Sequence, residues 1–151
     1  FFTAIPANVF GPGDDFSPEN SHVVGALLRK LDAARQAGEE SVSIWGSGRP
    51  RREFIYVDDL AEACLFLMAH YAGDAPINVG SGEDHSIAEL ARLCAQTVGF
   101  TGALTFDPSR PDGMPEKRLD SRQLQKLGWH AKTPLPVALA RTYDWYRYVR
   151  N

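Results

Sequence analysis

His22 follows a polar stretch, Pro18-Glu19-Asn20-Ser21, and opens a run of residues with helical spacing. A histidine titrates near neutrality, so it can give or take a proton there, beside backbone N–H groups that favour an anion. A surface or capping histidine is the plainer alternative, and the residue type alone leaves both open. Arg49, Arg51 and Arg52 form a basic cluster. Their fork-shaped donors can clamp a diphosphate with paired hydrogen bonds; for Arg49 and Arg51 a solvated loop explains the charge as well. Trp45 precedes Gly46-Ser47-Gly48, where its ring can stack on a base or sugar or simply pack the core. Asp112, in Arg110-Pro111-Asp112-Gly113, is either a turn residue or a ligand contact. Asp58 and Asp59 look like paired carboxylates, but their place at the opening of an apolar helix reads as capping. Cys64 and Cys94 sit in helical patterns without CxxC or Cys/His spacing. They read as buried free thiols, and no metal site is expected.

The elements that must position these groups alternate between strand and helix. Residues 1–7 read as a short buried strand, ended by the turn former Gly11-Pro12-Gly13-Asp14-Asp15. Residues 16–22 read as a loop. A helix is predicted over about 22–37, with Ser21 as N-cap, His22 in the first turn and Gly38 as the stop. Strands follow at 42–45 and 54–57 around a glycine-rich turn. Asp58 is expected to cap a helix to about residue 71, apolar nearly all round and therefore buried. A short strand at 77–79 leads to Ser86-Ile87-Ala88-Glu89, which fits a capping box for a helix to about 98 that ends at Gly99. After a strand at 104–106, three prolines make 107–117 irregular. A brief helix at 121–127 and a final one at about 136–149 complete an α/β pattern.

The 151 residues amount to one domain, with 44% hydrophobic and 23% charged residues. A net charge of −3 argues against a nucleic-acid partner, which would call for a basic surplus. The apolar runs are too short and interrupted to span a membrane. The chain opens at Phe1 without a charged leader, so no signal peptide is expected. An apolar opening looks like mid-strand, as in a piece of something longer.

Several segments together carry a resemblance. Ile5-Pro6-Ala7-Asn8-Val9-Phe10-Gly11-Pro12, Trp45-Gly46-Ser47-Gly48 and Arg52-Glu53-Phe54-Ile55-Tyr56-Val57-Asp58-Asp59 resemble the C-terminal half of an extended short-chain dehydrogenase/reductase. Asn20-Ser21-His22 narrows that likeness to the GDP-L-fucose synthase family, NADPH-dependent 3,5-epimerase/4-reductases acting on GDP-4-keto-6-deoxy-D-mannose. The resemblance implies the end of a Rossmann-type parallel sheet plus a smaller substrate-binding α/β lobe. Residues 1–10 would be the last Rossmann strand and its turn, and the N-terminal cofactor half would lie outside this chain, in a preceding segment or a separate subunit.

It further implies that His22 is the general acid of epimerisation. Pro6, Ala7, Asn8, Val9 and His22 would lie along NADP(H). Lys30, Trp45, Arg52, Asp112 and Lys117 would contact the GDP-sugar. Two positions depart from the pattern: Ala7 stands where threonine is usual, and Lys30 where arginine is frequent. Lysine keeps the charge and loses the bidentate fork. The sequence holds no Gly-x-x-Gly-x-x-Gly loop, and none of its tyrosines has a lysine four residues on. Reduction by this stretch alone is therefore not expected, and the epimerising cysteine would also lie upstream.

The family is commonly homodimeric through helices of the other half, and the free thiols read in this sequence lead to the expectation of a reducing, cytoplasmic setting. Two alternatives share the signature: another NAD(P)-dependent nucleotide-sugar epimerase or dehydratase, and a non-catalytic half that only binds nucleotide sugar. Taken alone, the chain would expose an apolar strand edge and be marginally stable.

Overall fold

The structure is a computed structural model that describes residues 1–150. Its centre is a strand, β4 (Arg51–Tyr56), buried along its last four residues. Alternation along a strand sends successive side chains to opposite faces. Phe54 and Tyr56 enter one apolar cluster and Ile55 enters another. This strand therefore separates two cores, and three others pair with it among the described residues.

Before it come β1 (Ala4–Pro6), β2 (Asn8–Phe10) and β3 (Ser41–Trp45). The chain then continues through β5 (Ile77–Val79), β6 (Asp84–Ser86), β7 (Ala103–Asp107) and β8 (Glu116–Lys117). β2 runs parallel to β4 with Asn8 opposite Phe54. β6 pairs antiparallel on the other side, and β8 runs parallel, with Arg52 opposite both His85 and Lys117. β1 pairs with β5, and β3 with β7, both parallel.

Helices α1 (Val23–Ala37), α3 (Ile87–Val98) and α5 (Leu135–Arg150) cover the larger core. In α1 the buried residues Val24, Leu27, Leu28, Leu31 and Ala34 make one stripe at helical spacing. Gly38, at φ 68°, closes the helix in the left-handed region. The Ser86–Glu89 capping box forms with both of its bonds, Glu89 N–H to Ser86 Oγ at 3.1 Å and Ser86 N–H to Glu89 Oε2 at 2.7 Å. The smaller core joins β5 with α2 (Val57–His70) and α4 (Arg122–Lys126).

Several expectations need correction. The predicted buried strand at 1–7 is a three-residue edge strand, paired among the described residues only with β5, and Ile5 is 42% exposed. The chain leaves that pairing at Ala7, whose N–H reaches Val79 O, and β2 joins the other sheet. His22 is itself the N-cap of α1, in extended conformation, in place of Ser21. Helix α2 begins one residue earlier than Asp58, with Tyr56 as N-cap, and is buried on one side only. Leu65 and Met68 are 68% and 74% exposed. The all-round apolar pattern required burial; within this chain only the strands beneath one face supply it. β6 and β8 were not expected: both are short and polar, and their pairing with β4 comes from residues 31 to 65 positions away.

Candidate functional site

β4 sets the geometry of the site because its register fixes what stands beside each residue. At its N-terminal end Arg51 and Arg52 take different roles. The Arg51 guanidinium bonds the Asp84 carboxylate and also Asp84 O at 2.8 Å. These bonds hold the Asp84 carboxyl below its usual range. Arg51 is thereby committed to the fold. Arg52 spends one Nη1–H on Arg51 O at 2.7 Å, which leaves most of its fork for a ligand. Lys117 stands opposite Arg52 in β8. A Cβ built on Gly113 would lie 3.8 Å from Arg52 Nη2, so the loop before β8 folds over the same guanidinium.

That loop is tied down by Asp112. Its Oδ1 accepts the Ser47 N–H at 2.6 Å and its Oδ2 accepts the Ser47 hydroxyl at 2.7 Å. Both bonds favour the ionised carboxyl and lower its pKa. The close approach requires Gly46, whose φ is 83° and whose added Cβ would meet Asp112 Oδ1 at 2.6 Å. Trp45, just before it, is 70% exposed. Its ring carries the Arg110 guanidinium at 5.1 Å from the ring centroid. Lys30, on α1, donates from Nζ to Ser43 O at 2.5 Å, two residues before Trp45. The exposed residues Ser41, Ser43 and Trp45 alternate with buried Val42 and Ile44. Lys30 therefore reaches the strand that presents the indole.

His22 sits elsewhere on the same strand system. Its carbonyl accepts the Ala26 N–H at 2.8 Å, as an N-cap carbonyl does. Its side chain makes no capping bond and is exposed. It borders a pocket of about 420 Å³ together with Asn8, Val9, Phe10 and Phe54. An adjoining hollow brings it next to Asp14 and the turn around Gly11. Phe54 lies two residues beyond Arg52, so both point to the same face of β4, about 7 Å apart along the strand.

Pro6 ends β1 and Ala7 links it to β2. The Asn8 side-chain amide donates to Glu53 O at 2.7 Å, so part of its donor capacity belongs to the fold. Glu53, fully buried, accepts the N–H groups of Gly82 and Leu119, each at 2.8 Å. It thereby anchors the segment that follows Lys117.

The structure thus brings Lys117 and the Asp112 loop beside Arg52 at the start of β4, sets Trp45 next to the turn that Asp112 latches, leaves Lys30 bonded to the strand that carries Trp45, and places His22, Asn8 and Val9 around a pocket further along. Ser47 and Arg110 were missed. A serine in a glycine-rich turn and an arginine before proline give no local sign of an aspartate or an indole from the other loop. Asp59 accepts the Thr133 N–H and hydroxyl at 3.0 and 2.9 Å, a tie between α2 and the segment before α5. Cys94 is wholly buried, which pushes its thiol pKa up, and Cys64 is half-buried; both are free. Neither has the exposed, electropositive surroundings of a reactive thiol.

Known proteins are similar to this chain in sequence and in fold. GDP-L-fucose synthase 1 of Arabidopsis thaliana is 49% identical over 144 residues, covering 95% of this chain and 45% of its own length. GDP-L-fucose synthase of Escherichia coli (strain K12) is 44% identical over 153 residues, covering 95% and 48%. A crystal structure of a GDP-L-fucose synthetase from Naegleria fowleri bound to NADP superposes with a TM-score of 0.93 at 33% identity, over 99% of this chain and 47% of that one. The chain thus spans about half the length of these relatives. The model of the NAD dependent epimerase/dehydratase family matches residues 1–80, more than half of the sequence, and the chain belongs to that family.

Proposed function

We propose that this chain is the substrate-binding, C-terminal part of a GDP-L-fucose synthase, which epimerises C3 and C5 and reduces C4 of GDP-4-keto-6-deoxy-D-mannose. The supporting observation is the placement along β4: a cationic and aromatic group at Arg52, Lys117 and Trp45, and a histidine-bordered pocket one residue pair further on. The likeness to the GDP-L-fucose synthases over 95% of the chain favours this reading over other nucleotide-sugar enzymes.

In this reading Arg52 grips the diphosphate through its free fork, and Lys117 adds charge from the next strand. Trp45 offers a stacking face to the base, and the Asp112–Ser47 latch holds the loop that carries Lys117 against it. The 4-keto group acidifies the substrate's C3 and C5 protons. A base removes each, and His22 returns a proton to the opposite face through the enolate. The buried Cys94 and the half-buried Cys64 do not serve as that base, which is proposed to come from the remainder of the protein.

NADPH, when bound, supplies the hydride for C4. The residues here fit one side of it: Asn8, Val9 and His22 border one pocket, and Pro6 and Ala7 lead into it along exposed or half-exposed backbone. The proposed setting is the cytoplasm, in keeping with two unpaired cysteines.

The test is H22N in the full-length protein, with NADPH oxidation followed on the 4-keto substrate. Loss of general acid catalysis lowers kcat about 100-fold or more, while GDP affinity stays within a few-fold. Turnover that survives H22N unchanged overturns the assignment. A protein that binds GDP and turns nothing over even as wild type would be a binding module instead.

A further inference from the structure

His22 is given a task by the proposed mechanism, yet no bond sets the direction of its ring. The side chain is exposed, makes no capping bond and has no hydrogen-bond partner among the described residues. An imidazole that turns freely delivers a proton poorly, because transfer needs donor and carbon in line. The cationic form is also opposed where it stands. The N-terminus of α1 disfavours positive charge, and the first turn of that helix holds no acidic residue. A carboxylate is close by. Asp14 and His22 line the same hollow, of about 300 Å³, at the turn around Gly11. Asp14 Oδ1 accepts the Asp15 N–H at 2.8 Å, whereas Oδ2 is buried without a hydrogen-bond partner, a costly state for a carboxylate oxygen. Every other residue lining the hollow is apolar, glycine or proline, so His22 brings the one side-chain N–H to it.

The turn that carries Asp14 is itself held. The Asp14 N–H closes onto Gly11 O at 3.2 Å, and a Cβ added to Gly11 would clash with Val57 at the start of α2. Just beyond, the Phe16 ring stacks on Tyr146 of α5 with centroids 4.6 Å apart. We propose that Asp14 is the positioning residue of His22: its Oδ2 accepts one ring N–H, fixing tautomer and rotamer, and the other ring nitrogen carries the proton to the substrate. This rests on the proposed function and adds a carboxylate behind its acid. The proton given to the enolate leaves from the outward nitrogen, the N–H shared with Asp14 stays, and solvent restores the first. Asp14 gains and loses no proton; it orients the ring and stabilises its cationic form, as a buried aspartate does behind other catalytic histidines. Asp15 contributes differently. It lies within electrostatic reach of His22, but its Oδ1 accepts the Ser17 N–H at 2.7 Å and its side chain is exposed, so it acts through charge and not through position.

The experiment is steady-state kinetics of the full-length protein on the 4-keto substrate, for wild type, D14N, D15N, H22N and the double variant D14N/H22N, with the His22 ring nitrogens followed by NMR. D14N keeps an acceptor for the turn and removes the charge. It is expected to lower kcat about tenfold or more, a share of what a positioned acid contributes, with KM and the thermal midpoint little changed. The double variant is expected to be no slower than H22N, because Asp14 acts only through that ring. D15N stays within a few-fold of wild type, as removal of an exposed charge does. In wild type one ring nitrogen shows the signature of an N–H bonded to a carboxylate, and D14N loses it. A kcat in D14N equal to wild type, or a D14N loss that adds in full to that of H22N, overturns the positioning role and leaves the proposed function standing. A loss in D15N as large as in D14N assigns the effect to charge and overturns it too. Turnover that H22N leaves unchanged overturns both the positioning role and the proposed function.

Discussion

Asp112 gives both carboxylate oxygens to one residue, Ser47, and this decides how its loop answers to pH. The two bonds are stronger to the ionised carboxyl, so the folded pKa lies below that of a free aspartate. A group whose folded pKa is depressed contributes its full stabilisation above the unfolded value and loses it as pH falls through the folded one. The latch is therefore expected to hold throughout the neutral range. It opens only in acid, below the ordinary aspartate value of about 3.9. An NMR titration of the Asp112 carboxyl carbon checks this, and a midpoint at or above the ordinary value would mean the latch is absent in solution. The same scale separates the neighbouring arginines. R52A should raise KM for the nucleotide sugar with little change in thermal stability. R51A should do the reverse, because Arg51 is already bonded to Asp84. Arg52 was legible in the sequence because it opens a recognisable signature, whereas Ser47 and Arg110 were not. Their partners lie 65 residues away in the chain in both cases, Asp112 for Ser47 and Trp45 for Arg110, and only the folded loop reveals the pairing.

Elements whose signals are local could be read in advance; those defined by distant pairing could not. The capping box at Ser86 and the glycine stops at Gly38 and Gly99 depend on residues within a turn of one another, and each stands where the sequence places it. β6 and β8 have no apolar alternation of their own and exist because β4 offers them an edge. The N-cap of α1 was misplaced by one residue for a related reason. Ser21 is the better capping type, but the chain leaves the loop at His22, and that step puts the imidazole on the pocket rim. Glu53 is the element-scale counterpart of the latch. Its carboxylate satisfies two N–H groups from separate segments, one before β6 and one after β8. E53A strands both donors and should destabilise the protein by about 2 kcal/mol or more. S86A, which removes one side-chain cap, should cost about 1 kcal/mol. Denaturant midpoints rank the two, and an E53A penalty no larger than that of S86A would deny β4 its role as the junction of these loops.

At the scale of the whole molecule the apolar surface is unevenly distributed. The larger core closes on itself between α1, α3, α5 and the strands. The smaller one is covered on one side by α2 and ends at β1, a strand with a partner on only one edge. Beyond them, Phe1, Ile5, Leu65 and Met68 face solvent, the first two beside the strand that the resemblance assigns to a Rossmann-type sheet and the last two on the outer face of α2. An unpaired strand edge invites pairing with another chain, and exposed apolar side chains give up the stabilisation that burial provides, about 1.5–3 kcal/mol for each large one. The 151-residue chain by itself should therefore unfold at lower denaturant than the same residues within the full-length protein, and should self-associate as its concentration rises. Static light scattering on the isolated chain, beside equilibrium unfolding of both forms, measures each effect. Charged substitutions at Leu65 and Met68 should suppress association of the isolated chain and destabilise the full-length protein, because in the first these side chains meet water and in the second they meet a partner surface. A monodisperse isolated chain as stable as the full-length protein would show that this face needs no cover.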